Sequence, residues 1–262
     1  MHYKIHEVAK MMGISPQTLR FYEQYGILPH ERIGEGKYRQ YSDESVDLLM
    51  SLRKCRNCGF TVAQTAELLK SRDTTQVPRM IAEQADKIRR HAELELRIAQ
   101  CMSRAAERAA TIEEKLGVFQ SVDSPEMYWL PVKRGGGARP ATGIMEHIGT
   151  LSDWLPLITW IMRFPLDGEA VEMGFAARAE TAEFLGFNQL PGVHKMPACR
   201  CMYMLMRWPS GEAGASAAVA EGIQILQRQG MCVSDAPVVS TLWNLRIDDK
   251  GTTYGEGWYP IK

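Results

Sequence analysis

The sequence predicts an α+β multidomain protein: an N-terminal winged helix-turn-helix over 1–75, a long dimerisation coiled-coil helix over 76–120, and a C-terminal α+β domain over 121–262 with duplicated strand-helix-strand units. Three observations predict it. A short helical stretch, Gly13 and a second stretch opening on Ser15 and Pro16 make a helix-turn-helix pattern. Residues 77–116 hold no Gly, and no Pro beyond Pro78, while their apolar residues fall into heptads. All six tryptophans lie after residue 120, so the two halves are built for different surfaces. A chain of 262 residues has room for about two domains.

Residues 5–12 suit a short helix that Gly13 breaks. Ser15 is a preferred N-cap, and Pro16 at the first helical position loses nothing because its amide would be unpaired there anyway. The second helix therefore runs over 16–25 and stops at Gly26. Residues 30–41, HERIGEGKYRQY, place two glycines among polar residues and read as a β-hairpin, or wing. Ser42 and Asp43 open a helix to about 56, and Thr61 caps another to about 70.

In the long helix, Ile81, Ile88, Glu95, Met102, Ala109 and Leu116 form one heptad row, and Ala85, Ala92, Ala99 and Ala106 the other. Some 40 residues of helix extend roughly 60 Å, too far for a small domain. Alanine along one row lets a second backbone come close, which predicts a homodimer through residues 77–116. Beyond Gly117, strands are expected near 126–133, 170–178, 198–208, 237–246 and 253–261, with helices near 143–163 and 212–230.

A helix-turn-helix crossing needs a small residue and a glycine turn. Ala9 lies four before Gly13, and Val8, Met12, Leu19 and Tyr22 supply apolar contacts. The free face of the second helix carries Gln17, Thr18, Arg20, Phe21 and Gln24, groups able to bond base edges or phosphates in a major groove. The runs I-H-E-V-A-K, G-I-S-P-Q-T-L-R-F-Y-E-Q-Y-G-I-L, K-Y-R-Q-Y-S and C-G-F-T-V-A-Q-T-A-E-L-L carry a resemblance to the winged-helix domain of the MerR family of bacterial transcription regulators, over residues 3–70. That resemblance implies that Thr18, Arg20 and Tyr22 on the helix, and Tyr38, Arg39 and Tyr41 on the wing, meet DNA. Gln17 and Lys37 complete the candidate DNA-binding set. It further implies binding to an over-long promoter spacer, with a ligand-driven DNA distortion that realigns the promoter for RNA polymerase.

The C-terminal half resembles GyrI-like effector-binding domains, as in multidrug-responsive (BmrR-type) members of that family. The resemblance rests on the doubled strand-helix-strand plan, the segments L-P-G and M-P-A-C-R-C-M-Y-M-L-M, and the ending Y-G-E-G-W-Y-P-I-K. It implies a pocket glutamate at Glu256. Aromatic faces attract a cation, a buried carboxylate adds counter-charge, and methionines adapt to varied shapes. The expected effector is a lipophilic, cationic small molecule held among Trp129, Met145, Trp154, Phe175, Trp208, Tyr254, Glu256 and Trp258.

Other classes fit less well. Cys55 with Cys58, and Cys199 with Cys201, each share a face able to bind a soft metal or oxidise, but no second pair or His accompanies them at zinc spacing. Core packing is the expectation for both pairs, with no metal site and no cofactor. Glu256 beside aromatics also suits a general base, so a small-molecule hydrolase is a rival reading. No G-x-S-x-G, H-E-x-x-H or phosphate loop is present, and no enzyme is expected. Net charge is zero, dividing into +3 over 1–120 (19 Lys+Arg, 16 Asp+Glu) and −3 over 121–262 (12 and 15). No apolar run approaches the roughly 20 residues of a membrane span, and the first residues lack a signal peptide's apolar core. The protein is expected to be cytoplasmic.

Overall fold

The computed structural model describes residues 1–33, 38–71, 75–135, 148–247 and 250–262. They form two units, Met1–Glu95 and Leu96–Lys262, so the second half of the long helix counts with the C-terminal sheet.

The first unit is built from β1 (His2–Lys4), α1 (Ile5–Met12), α2 (Pro16–Gln24), β2 (Glu31–Ile33), β3 (Tyr38–Ser42), α3 (Asp43–Asn57) and α4 (Val62–Lys70). Local chemistry explains its joints. Gly13 ends α1 at φ 63°, a left-handed conformation that a side chain would strain, and its amide bonds the Lys10 carbonyl. The Ser15 hydroxyl accepts from the Thr18 amide at 3.0 Å and caps α2, with Pro16 at its first turn. Ser42 and Thr61 cap α3 and α4 in the same way. Val8, Ala9, Met12, Leu19, Leu28, Tyr41 and Leu49 form the core. The wing is the antiparallel pair β2–β3, and β1, too short to stand out in the sequence, pairs with the other edge of β3.

Helix α5 (Gln76–Lys115) matches the expected long helix. Its heptad residues Ile81, Ile88 and Met102 are 51%, 49% and 63% exposed, so one chain alone leaves that seam uncovered.

In the second unit β4 (Gln120–Asp123), β5 (Met127–Arg134), β6 (Thr159–Arg163), β7 (Glu172–Arg178), β8 (His194–Met196), β9 (Arg200–Pro209), β10 (Val238–Ile247) and β11 (Lys250–Pro260) make one antiparallel sheet. The order is β4-β9-β11-β10-β6-β7-β5-β8. The remaining helices are α6 (Ile148–Asp153), α7 (Ala179–Leu185) and α8 (Glu212–Arg228). The expected duplication is present with one more strand per unit: β5, α6, β6, β7 and β9, α8, β10, β11 follow one plan and join edge to edge through β6 and β10. One expectation fails. Residues 143–147 lie outside the described set, and the helix placed near 143–163 ends at Asp153. Residues 159–163, TWIMR, are instead strand β6, because Pro156 discourages helix before it and β-branched and aromatic side chains suit a central strand.

Alternation assigns the two faces. Met202, Met204, Met206 and Trp208 of β9 pack with Tyr259 against Ala215, Val219 and Leu226 of α8. On β11, Gly255 and Gly257 make room for them: a Cβ at Gly255 would lie 2.4 Å from the Trp208 ring and from the Ser240 carbonyl oxygen. Tyr254, Glu256 and Trp258 therefore point to the opposite face.

Two substitutions test this packing. Gly222→Ala puts a Cβ 2.3 Å from the fully buried Tyr259 hydroxyl. Overpacking outweighs the helix-propensity gain, for a net loss of about 1–2 kcal/mol, read as a lower urea midpoint by Trp fluorescence. Tyr41→Phe leaves a buried carboxylate oxygen of Glu23 without its 2.5 Å donor, a loss of about 1–3 kcal/mol. Since every Trp lies in the second unit, that loss should appear in far-UV circular dichroism while the Trp transition stays put.

Candidate functional site

In the first unit, α2 presents Gln17, Arg20, Phe21 and Gln24 to solvent, and Tyr38 on the wing is 73% exposed. Thr18 and Tyr22 are half-buried, and the Thr18 hydroxyl sits 2.9 Å from that of Ser15. Two wing residues differ from expectation. Tyr41 is fully buried and donates to Glu23 Oε1 at 2.5 Å, so it is a core aromatic with a satisfied hydroxyl and not a surface contact. Arg39 donates through Nε to Glu23 Oε2 at 3.1 Å, and His30 Nδ1 lies 3.5 Å from the same carboxylate. Burial, then the Glu23 hydrogen bond, raises the Tyr41 phenol well above its ordinary pKa. Glu23, unremarked in the sequence, pins the wing strand to α2. Its signal was a charged residue on the helix face otherwise turned inward. Lys37 lies outside the described residues.

In the second unit, a cavity of about 1150 Å³ opens between the α5 segment from Arg97 to Arg108 and the sheet face opposite α8. Its floor is an apolar cluster of Trp129, Ile161, Ala176 and Val238, edged by Met127 and Met196. Trp258 stacks at a tilt on Tyr203, ring centroids 4.7 Å apart. Glu256, 6% exposed, accepts from Arg108 Nε at 2.8 Å, from the Tyr203 hydroxyl at 2.8 Å and from the Ser240 hydroxyl at 3.2 Å. Burial, then the charge of Glu256, drives the Tyr203 phenol far up, so it stays protonated and donating. Ion pairing with Arg108 and two hydroxyl donors leave both carboxylate oxygens engaged.

Of the expected ligand residues, the structure brings Trp129, Glu256 and Trp258 together on the cavity. Tyr254 shares their face of β11 but packs on Ile112 and Leu205, its hydroxyl donating to Glu113 at 3.4 Å. Trp208 faces α8 across the sheet, since it alternates with the cavity-side residues of β9. Trp154 and Phe175 pack in the cluster behind, around Phe187 and Leu130, and Met145 lies outside the described residues. Sequence reasoning missed the α5 contribution. Arg97, Cys101, Arg104 and Arg108 recur at helical spacing along one face, away from the heptad seam. Attention to the heptads alone hid that second stripe. The last heptad residue, Leu116, packs beside Leu205 of its own chain.

Core packing of the cysteines holds for Cys201, which is 1% exposed, whereas Cys55 is half-buried and Cys58 and Cys199 are exposed. Cys58 is a helix C-cap and Cys199 precedes β9 at the cavity edge, positions that the alternation pattern does not reach. The Cys199 and Cys201 sulfurs are 3.5 Å apart. Among the described residues, no helix is long and apolar enough to cross a membrane.

Residues 3–72 match the family described as MerR HTH family regulatory protein. The HTH-type transcriptional regulator ZntR of Escherichia coli is 34% identical over 113 residues, covering 40% of this chain and 77% of that protein. The heavy metal-dependent transcription regulator 2 of Rhizobium meliloti is 32% identical over 127 residues, 47% of this chain and 80% of that one. An uncharacterized HTH-type regulator of Synechocystis, slr0701, is 34% identical over 65 residues, 25% of this chain and 47% of its own length. Among solved structures, the EcmrR–DNA complex aligns over 99% of both chains at 17% identity and a TM-score of 0.35, an overlap too low to bear on the fold. With a helix-turn-helix whose outer face is open and an alignment spanning most of ZntR, the chain belongs to the MerR family of transcription regulators.

Proposed function

We propose that this regulator binds promoter DNA as a homodimer and answers to a lipophilic small molecule held in the cavity of its second unit, as in GyrI-like, BmrR-type members of the family. The single observation that carries the reading is the cavity of about 1150 Å³ with a floor of Trp129, Ile161, Ala176 and Val238. Clefts of some hundreds to about 1,000 Å³ with apolar walls and few polar groups are where drug-sized ligands bind. A cation using Glu256 as its counter-charge must first displace Arg108, so the geometry supports the lipophilic body of the expected effector more than its positive charge.

On the DNA side, Gln17, Arg20 and Tyr38 are the exposed groups, with Arg39 and Thr18 partly available and the wing held to α2 through Glu23. The exposed seam of Ile81, Ile88 and Met102 supports pairing of two α5 helices, and a pair of reading helices calls for a near-palindromic site. Ligand acts only through its different affinity for two protein–DNA states, and a DNA distortion costing a few kcal/mol is within reach of such a difference. RNA polymerase at the realigned promoter is the implied partner.

A thiol reading rests on one observation, the 3.5 Å approach of Cys199 and Cys201. Burial, then the neighbouring Cys199, pushes the Cys201 thiol up and away from the reactive thiolate. A Cys199→Ser, Cys201→Ser chain that still answers its inducer removes that reading.

Three outcomes are expected. Ile88→Glu with Met102→Glu should sediment as a monomer, and a monomeric parent chain would sink the dimer. Arg20→Ala should weaken binding to a footprinted promoter about ten-fold and flatten the log K against log salt slope by about one, the signature of a lost phosphate contact. Titration with the neutral probe N-phenyl-1-naphthylamine should quench Trp fluorescence saturably; linear, non-saturating change would remove the cavity reading.

A further inference from the structure

The cavity carries more positive than negative charge. Six lining side chains are cationic (Arg97, Arg104, Arg108, Arg163, Arg178 and Lys195) and four are carboxylates (Glu126, Glu180, Asp235 and Glu256). Three carboxylates are committed to protein partners: Glu126 to Lys195 at 3.0 Å, Asp235 to Arg163 at 3.2 Å, and Glu256 to Arg108 at 2.8 Å. Arg97 lies over the Phe184 ring, 4.5 Å from its centroid. Among the described residues, no carboxylate oxygen comes within 4.0 Å of the guanidinium of Arg104 or Arg178. These two come from different elements, α5 and the end of β7, and both reach the cavity.

Their surroundings make that excess positive charge matter. Arg104 and Arg178 are both exposed residues, so solvent screens part of their charge; desolvation nonetheless lowers the pKa of Arg178, and the charges of Arg104 and Arg108 lower it further. Three guanidiniums near one another thus share the cavity with Glu256, already committed to Arg108, and with the exposed Glu180 at the start of α7. Relief comes from an anion, and a planar guanidinium matches a carboxylate or sulfonate with two parallel hydrogen bonds. A cation entering the same space meets net repulsion, with its nearest buried counter-charge already taken.

Resting on the lipophilic-cavity reading and deepening it, we propose that the effector is a lipophilic organic anion, its apolar body on Trp129, Trp258 and the Ile161–Val238 floor and its carboxylate or sulfonate on Arg104 and Arg178. The amphiphile's two ends map onto the two chemistries of one cavity. Arg108 remains on Glu256 and sets the boundary between them.

Three pyrene probes of one body separate the possibilities on the full chain: 1-pyrenebutyrate, its neutral primary amide, and a pyrenebutyl trimethylammonium, each titrated by Trp quenching. The anion should bind about ten-fold tighter than the amide, and the ammonium weaker than the amide. In an Arg104→Gln, Arg178→Gln double variant the anion's advantage should fall to roughly two-fold or less with the amide's affinity retained, and salt should erode the advantage in the parent chain. Glu256→Gln, which frees Arg108 and deletes a negative charge, should tighten the anion; a site built for cations loses ammonium affinity there instead. The anion proposal is overturned if the ammonium equals or exceeds the anion, or if the double variant keeps the preference. Saturable amide binding without an anion preference sinks this inference alone, whereas no saturable binding by any probe sinks the lipophilic cavity with it.

Discussion

The second unit depends on one buried carboxylate. Glu256 sits on a strand whose neighbours on the other face are glycines, so the sheet can bring Trp208 and Met206 close on one side while Tyr254, Glu256 and Trp258 crowd the other. A charge buried to 6% exposure is tolerable only when it is paired and hydrogen-bonded. Arg108, Tyr203 and Ser240 meet that need. The requirement holds α5 against the sheet at Arg108, and the space left beside that contact is the cavity. Because the ion pair satisfies the glutamate internally, the cavity's remaining charge is set by the arginines around it.

A parallel arrangement orders the first unit. Glu23 gathers Tyr41, Arg39 and His30 in one place, joining α2 to the wing. A buried tyrosine with a charge-assisted hydrogen bond fixes the separation of α2 and the wing more rigidly than surface contacts would, as the proposed contact of both with one duplex requires. In both units, then, an acidic residue is engaged by the protein's own donors.

The local elements were legible because each is written in neighbouring residues. Ser15-Pro16, Gly13 and the Ser42 and Thr61 caps declare helix ends through hydrogen bonds that span three or four residues. Heptads declare α5, and the alternating Tyr254-Gly255-Glu256-Gly257-Trp258 run declares which side chains share a face. The helix expected over 143–163 failed at β6 because a strand covered on both faces, Ile161 in the cavity-floor cluster and Met162 in the cluster under α8, lacks the alternation that distinguishes strand from helix.

By itself, the sequence determined the helix-turn-helix, the long helix, the doubled strand-helix-strand plan and the sharing of a face by Glu256 and Trp258. Those follow from periodicity and capping, which act over a few residues. Only the tertiary structure decided that Tyr41 is core, that Trp208 and Trp154 turn away from the cavity, and that Arg104, Arg108 and Arg178 turn toward it. The reason is physical: a charge's role depends on which opposite charge lies within a few ångströms, and Glu256 finds Arg108 from a helix far back in the chain.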